Sequence, residues 1–273
     1  MSNDIEKLNQ LVSGTSSERR FEPFRKSLRR SASDIPAARQ CSGLKSRTDH
    51  LLFTPIHYEP RYAYPLLVWF HSPGADETEL FRVMPQISLR NFVAIAPRGL
   101  TRDEIGIMSS RFKPVDGRVG AFSPLYDWSE SDGAIDAAEL RFFEAVERAK
   151  RSCNISPRRI FLAGIGAGGS MAMNIGARYP DSVAGVVSFS GAFPLSPCSL
   201  VRWGALRQLP MMMMVGGKNP IFSPDAVSDQ LRFFHTAGMS VSIRQYKTAD
   251  DVTPAMFKDA NKWMMEQFLD PQH

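Results

Sequence analysis

The chain has 273 residues, 43% of them hydrophobic, and this length and composition fit one large α/β domain. Its formal net charge of +5 lies entirely in residues 1–48, which carry ten Lys and Arg against five Asp and Glu. The remaining 225 residues are neutral and show no basic stripe with interleaved aromatic residues, which excludes nucleic acid as an expected partner.

Two regions are predicted from this asymmetry. Residues 1–48 are Ser- and Arg-rich and are expected to form a disordered basic leader, with contact to an acidic partner, nucleic acid or a membrane left open for this segment. Residues 49–273 are expected to form the folded domain.

Three cysteines without metal-ligand spacing, and no apolar signal segment at the N-terminus, favour a cytoplasmic protein. A charge-free run at 160–177 is long enough to span a membrane, but its five glycines favour a soluble strand-turn-helix.

From residue 50 onward, apolar runs alternate with amphipathic segments. The predicted strands span 50–57, 65–71, 92–96, 160–163, 183–190, 211–215 and 241–246. The predicted helices span 77–91, 132–151, 170–178, 224–237 and 253–269. Strands that are apolar throughout indicate a mostly parallel central sheet with helices on both faces. The long polar segment at 98–133 is predicted to be irregular, and a connection of that length usually forms a lid or pocket wall.

The glycine cluster at 164–169 is the most informative motif. It follows a predicted buried strand and precedes a predicted helix, as the G-x-S-x-G nucleophile elbow does. Gly164 and Gly168 take the two outer positions, and the central position, where a nucleophilic serine would stand, is Gly166. The same cluster imitates a dinucleotide-binding G-x-G-x-x-G motif, but it comes after at least three strands and no acidic residue follows at the required distance.

The chain resembles the phospholipase/carboxylesterase family of α/β-hydrolases, whose members include acyl-protein thioesterases. The resemblance covers residues 50–269 and depends on the order and spacing of segments 66–77, 96–99, 164–173 and 187–191. It implies an α/β-hydrolase fold. It also implies a family activity of carboxylic ester hydrolysis by a Ser, Asp and His triad.

The triad positions that this resemblance implies do not carry the triad residues. The serine position is Gly166, the acid position is Asn219, and the histidine position is Asp250. A glycine offers no hydroxyl for covalent catalysis, and a carboxylate, whose ordinary pKa is about 3.9, replaces a base that titrates near neutrality. We therefore expect no catalytic residues in this chain.

The resemblance places the oxyanion loop at Ser72, Pro73 and Gly74. The family takes one donor from a backbone N–H at the position of Pro73, and proline has none. The second donor, the N–H of Ala167, is retained. These four residues, together with Trp128 from the long irregular segment, are the predicted ligand-binding positions.

The sequence therefore predicts a catalytically degenerate α/β-hydrolase that binds a small acyl-like or apolar ligand, or a protein partner. It predicts no cofactor, no metal and no nucleic acid. The alternative is an active serine carboxylesterase or thioesterase with an unrecognised catalytic arrangement, for which Ser72, Ser170 and His71 are the substitute residues to consider.

Overall fold

The computed structural model describes residues 50–101, 104, 126–193, 202–216, 224–248 and 252–268. The leader at 1–48, the segment containing Asn219 and the segment containing Asp250 lie outside the described residues.

Seven of the described strands form one sheet at the centre of the domain, and two more form a separate ribbon. The strands are β1 (His50–Phe53), β2 (Tyr64–Phe70), β3 (Val93–Pro97), β4 (Leu100–Thr101), β5 (Tyr126–Asp127), β6 (Ile155–Ile165), β7 (Gly185–Phe189), β8 (Met211–Gly216) and β9 (Val241–Tyr246). The sheet order is β1-β3-β2-β6-β7-β8-β9, and β4 pairs with β5 in the ribbon. Strand β1 runs antiparallel to β3, whereas the other neighbours in the large sheet are parallel.

Helices follow most of the parallel strands. They are α1 (Leu80–Ile87), α2 (Asp132–Ser152), α3 (Ala167–Arg178), α4 (Trp203–Leu206), α5 (Pro224–Ala237) and α6 (Pro254–Glu266). Short 3₁₀ turns at Glu77–Glu79 and Pro180–Ser182 precede α1 and follow α3. Among the described helices, none is long and apolar enough to cross a membrane.

Alternate residues of each central strand enter one of two hydrophobic cores. In β2, Leu66, Val68 and Phe70 pack on the face that carries α2 and α3, while Leu67 and Trp69 pack on the face that carries α1 and α6. This alternation is the side-chain period of two in an extended strand. Burial on both faces explains why the strand sequences are apolar throughout.

The predicted fold class is confirmed. The predicted elements differ from the observed ones at their ends, and helix α4 and the β4–β5 ribbon were not predicted. Helix α3 begins at Ala167 rather than at residue 170, because the turn at Gly166 leads directly into the helix. Helix α1 ends at Ile87, four residues before the predicted end, where Ser88 adopts an extended backbone. Part of the segment predicted as irregular pairs as the β4–β5 ribbon.

Candidate functional site: the strand-turn-helix corner at Gly166

The strand-to-helix corner at Gly166 has the backbone conformation of a strained turn. Gly166 has φ 57° and ψ −123°, a region that residues with a side chain rarely adopt. Its N–H donates to the carbonyl of Phe189 at 2.8 Å, and its carbonyl accepts from the N–H of Ser170 at 3.0 Å. The corner is therefore fixed to the end of β7 and to the first turn of α3, and glycine adopts its conformation without a Cβ clash.

The outer glycines of the elbow allow strand β2 to approach the corner. A Cβ atom on Gly164 would lie 2.6 Å from the carbonyl oxygen of Phe70, and one on Gly168 would lie 2.4 Å from the same oxygen. Residues Phe70 and Gly164 are register partners at the carboxyl ends of β2 and β6. This close approach places the loop after β2 next to Gly166.

Pro73 in that loop occupies the space beside Gly166. A Cβ atom added to Gly166 would lie 3.2 Å from Cδ and 3.4 Å from Cγ of the Pro73 ring. The first of these distances is tighter than ordinary van der Waals contact, so a side chain at this position would displace the ring by a few tenths of an ångström. The proline ring therefore lies against the position from which a catalytic serine would project.

The loop after β2 directs its hydrogen-bond donors away from Gly166. The N–H of Ser72 donates to Oε2 of Glu79 at 2.8 Å, and its hydroxyl donates to Oε1 at 2.6 Å. The N–H of Gly74 donates to the carbonyl of Tyr126 at 2.9 Å. Because Pro73 has no N–H, none of these three consecutive residues offers a free backbone donor to a ligand.

Glu79 is the residue that organises this loop. It is 7% exposed, and its Oε2 also accepts the indole N–H of Trp69 at 3.0 Å. A buried carboxylate requires such hydrogen bonds to offset the loss of solvation. Glu79 thereby connects strand β2, the loop after it and the 3₁₀ turn before α1.

His71 holds the same loop from the other side. Its Nε2 accepts the backbone N–H of Gly99 at 2.8 Å, so the ring proton is on Nδ1, which donates to the carbonyl of Ser72 at 2.9 Å. The ring is completely buried, and burial lowers the pKa of His71 below its usual value of 6.5. With both nitrogens engaged, this imidazole is neutral and positions the backbone.

A second buried acid, Glu77, fixes the neighbouring segment. Its carboxylate forms a two-pronged ion pair with Arg98, in which Nε of Arg98 donates to Oε2 of Glu77 at 2.7 Å. The Arg98 guanidinium also lies 5.1 Å from the ring centre of Tyr126, a cation–π contact. Side chains thus join the segment after β2, the residue after β3 and strand β5 at the carboxyl edge of the sheet.

Of the predicted ligand-binding residues, Ser72, Pro73, Gly74 and Ala167 lie at this edge beside Gly166. Trp128 is only 3% exposed, and it packs on Phe70 at 5.1 Å and donates its indole N–H to the carbonyl of His71 at 3.1 Å. It lies beneath the loop and supports it. Ligand binding by these five residues stays a prediction.

Three further residues of the site were not identified from sequence. Glu77 and Glu79 resemble ordinary first-turn residues of a helix, and their partners are distant in sequence or lie on the preceding strand. Ser190, at the end of β7, has a positive φ of 55°, and its buried hydroxyl has no hydrogen-bond partner among the described residues. The sequence signal that could have identified Glu77 and Glu79 is their position directly after the predicted oxyanion loop.

Within the described residues, no group of three or more His, Cys, Asp or Glu is placed to hold a metal ion. The geometry of the site is instead that of a hydrolytic fold: a parallel sheet, a strand-turn-helix corner at a carboxyl edge and a flanking loop. These features define an α/β-hydrolase.

The sequence model of the Phospholipase/Carboxylesterase family matches residues 56–267. The chain belongs to the phospholipase/carboxylesterase family of α/β-hydrolases, which confirms the family predicted from sequence. A curated relative, "Putative esterase NocK" of Nocardia uniformis subsp. tsuyamanensis, is 28% identical over 107 residues. That match covers 37% of this chain but only 30% of the relative's length.

Solved structures share the fold at low sequence identity. The crystal structure of Arabidopsis thaliana SOBER1 aligns with a TM-score of 0.59 at 15% identity, over 76% of this chain and all of that one. Zea mays acyl-protein thioesterase 2 aligns with a TM-score of 0.57 at 12% identity, over 80% of this chain and 98% of that one. At these identities the likeness establishes the fold, and function has to be argued from the site.

Proposed function

We propose that this protein is a catalytically inactive member of its family, a pseudoesterase that retains the hydrolase fold for binding. The observation that carries the proposal is the elbow itself. The corner has the backbone conformation of an active elbow, but its central residue is Gly166 and the ring of Pro73 packs against the position where the serine side chain would start. Without a nucleophile, no acyl-enzyme can form at this corner.

The surrounding groups support the same proposal. An active site of this type aims backbone N–H groups at the developing oxyanion, and loss of one such donor costs about 10²–10³ in rate. Here Ser72 and Gly74 donate to protein acceptors, and Pro73 has no donor. The sequence adds Asn219 and Asp250 at the acid and histidine positions, outside the described residues.

The rival proposal is a serine esterase with a different nucleophile. Ser72 is the serine to test first, since its hydroxyl contacts the carboxylate of Glu79 at 2.6 Å. That carboxylate also accepts the N–H groups of Ser72 and Trp69, so it is held as a structural acceptor. Ser170 lies buried in the first turn of α3, within a packed core.

The retained role that we propose is binding of a small apolar or acyl-like ligand beside Gly166, or of a protein partner, in the cytoplasm. A cytoplasmic location agrees with the free, buried thiol of Cys153. Cys41 and Cys198 lie outside the described residues.

Turnover assays test the absence of catalysis. The purified protein should hydrolyse neither short-chain p-nitrophenyl esters nor acyl thioesters above a heat-treated sample of itself. Turnover that saturates with substrate and is lost in Ser72→Ala would establish the rival proposal instead.

A further inference from the structure

The hydrogen-bond donors beside Gly166 determine which chemical class of ligand the site can hold. This inference rests on the proposed binding role of the site. The N–H groups of Ser72 and Gly74 donate to protein acceptors and Pro73 has none, so this loop presents no free backbone N–H to a ligand. The first N–H groups of α3 have no partner within the helix, and among them Ala167 is partly exposed whereas Gly168 and Gly169 are buried. The N–H of Ala167 is therefore the donor available to a ligand.

The charge behind the loop is negative. Glu79 lies one hydrogen bond from Ser72, and within the described residues its carboxylate has no cationic ion-pair partner. The neighbouring carboxylate of Glu77 is balanced by Arg98, and the buried His71 accepts a hydrogen bond at Nε2 as a neutral ring. The partial positive charge at the start of α3 would attract an anion, but the full charge of Glu79 opposes it.

The surface beside Gly166 is apolar. Its chain neighbours Ile165 and Ala167 are each partly exposed, and the exposed ring of Pro73 lies against it. None of these side chains carries a charge or a hydrogen-bonding group. An alkyl or aromatic group can pack on this surface, whereas a carboxylate would lose solvation and gain a single donor.

From these three observations we propose that the site beside Gly166 selects a neutral, apolar ligand and discriminates against carboxylates and other anions. The site would thus have exchanged the oxyanion affinity of its fold for affinity toward uncharged hydrophobic groups.

A matched pair of probes tests this selectivity. Octan-1-ol and octanoate share a similar apolar chain and differ in charge, and both can be titrated by NMR at neutral pH, with the amide signal of Ala167 as the reporter. We expect octan-1-ol to bind about tenfold more tightly. Octanoate binding equal to or tighter than octan-1-ol would overturn the selectivity. If neither probe shifts the signal, the proposed binding of an apolar ligand at this site is wrong, which is a separate outcome.

Two variants test whether the charge of Glu79 causes the discrimination against octanoate. Glu79→Gln removes the charge and keeps an acceptor for Ser72, so octanoate binding should strengthen about tenfold while octan-1-ol binding is unchanged. Glu144→Gln, at an exposed position on α2, makes the same change in net charge away from the site and should alter neither affinity. Equal gains in both variants would show a long-range charge effect and overturn the assignment to Glu79.

Glu79 is buried, so the Gln variant can fail to fold. In that case Pro73→Gly gives an independent test, because it restores a backbone N–H beside Gly166 without touching the acid. Octanoate should then bind more tightly than in the unaltered protein. An unchanged ratio of the two affinities would contradict the donor argument.

Discussion

Restoring the serine at the elbow is the perturbation that best probes this structure. Gly166 has φ 57° and ψ −123°, so the Gly166→Ser variant must place a side chain in a sparsely populated conformation that costs an L-residue about 1–3 kcal/mol. Serine also restricts the unfolded chain more than glycine does, and this restriction stabilises the folded state by about 0.4–1 kcal/mol. The contact of the new Cβ with the Pro73 ring, 3.2 Å from Cδ, adds a smaller cost.

The sum predicts a loss of about 1 kcal/mol in the free energy of unfolding, or about 2–4 °C in melting temperature for a domain of this size. Urea unfolding and thermal melts measure both quantities. Gly204→Ser in α4 is the matched control, because nothing lies within 4 Å of the Cβ that it adds and its φ is not positive. The control should be neutral or slightly stabilising.

Pro73→Ala completes a double-mutant cycle. Alanine lacks the Cγ and Cδ atoms that the new Cβ would touch, so Gly166→Ser should cost less in this background, by about 0.5 kcal/mol. A strictly additive double variant would show that the ring does not crowd residue 166. If Gly166→Ser were clearly stabilising, or hydrolytically active alone, the assignment of Gly166 to the centre of the elbow would be wrong.

Three further outcomes are expected. Deleting residues 1–48 should leave the melting temperature of the domain nearly unchanged. Limited trypsin digestion of the full chain should cut first within residues 1–48, and protection of that segment would show that it is folded. The triple variant Gly166→Ser, Asn219→Asp and Asp250→His should regain weak ester turnover, whereas Gly166→Ser alone should not. Equal rates in both variants would mean that the acid and histidine positions are assigned to the wrong residues. Burial lowers the pKa of His71 in the folded state, so the unfolded chain binds more protons below pH about 6.5. Stability should therefore fall as the pH drops below about 6.5, and it should fall less in His71→Asn.

The parts of the fold that follow local rules were predictable from sequence. The runs at 66–70 and 211–215 are buried on both sides of a parallel sheet, and continuous apolar sequence is the signature of that environment. The elbow was predictable because a strand-turn-helix corner of this type brings backbone segments so close together that only glycine fits at fixed positions.

The parts that depend on long-range contacts were not predictable. Glu79 has the composition of a helix first turn, and only the folded chain shows that it accepts hydrogen bonds from Ser72 and Trp69. The contact between Pro73 and Gly166 joins residues 93 positions apart, and no local pattern encodes it. The short ribbon of Leu100–Thr101 with Tyr126–Asp127 is too brief for a periodicity signal.

Covalent labelling of the purified protein tests the central claim most directly. A serine-directed fluorophosphonate, followed by intact-mass spectrometry, reports any activated serine without assuming a substrate. The absence of a nucleophile at Gly166 predicts no mass increase under conditions that fully label an active serine esterase. Stoichiometric labelling of one serine, lost when that serine is replaced by alanine, would contradict the pseudoesterase proposal.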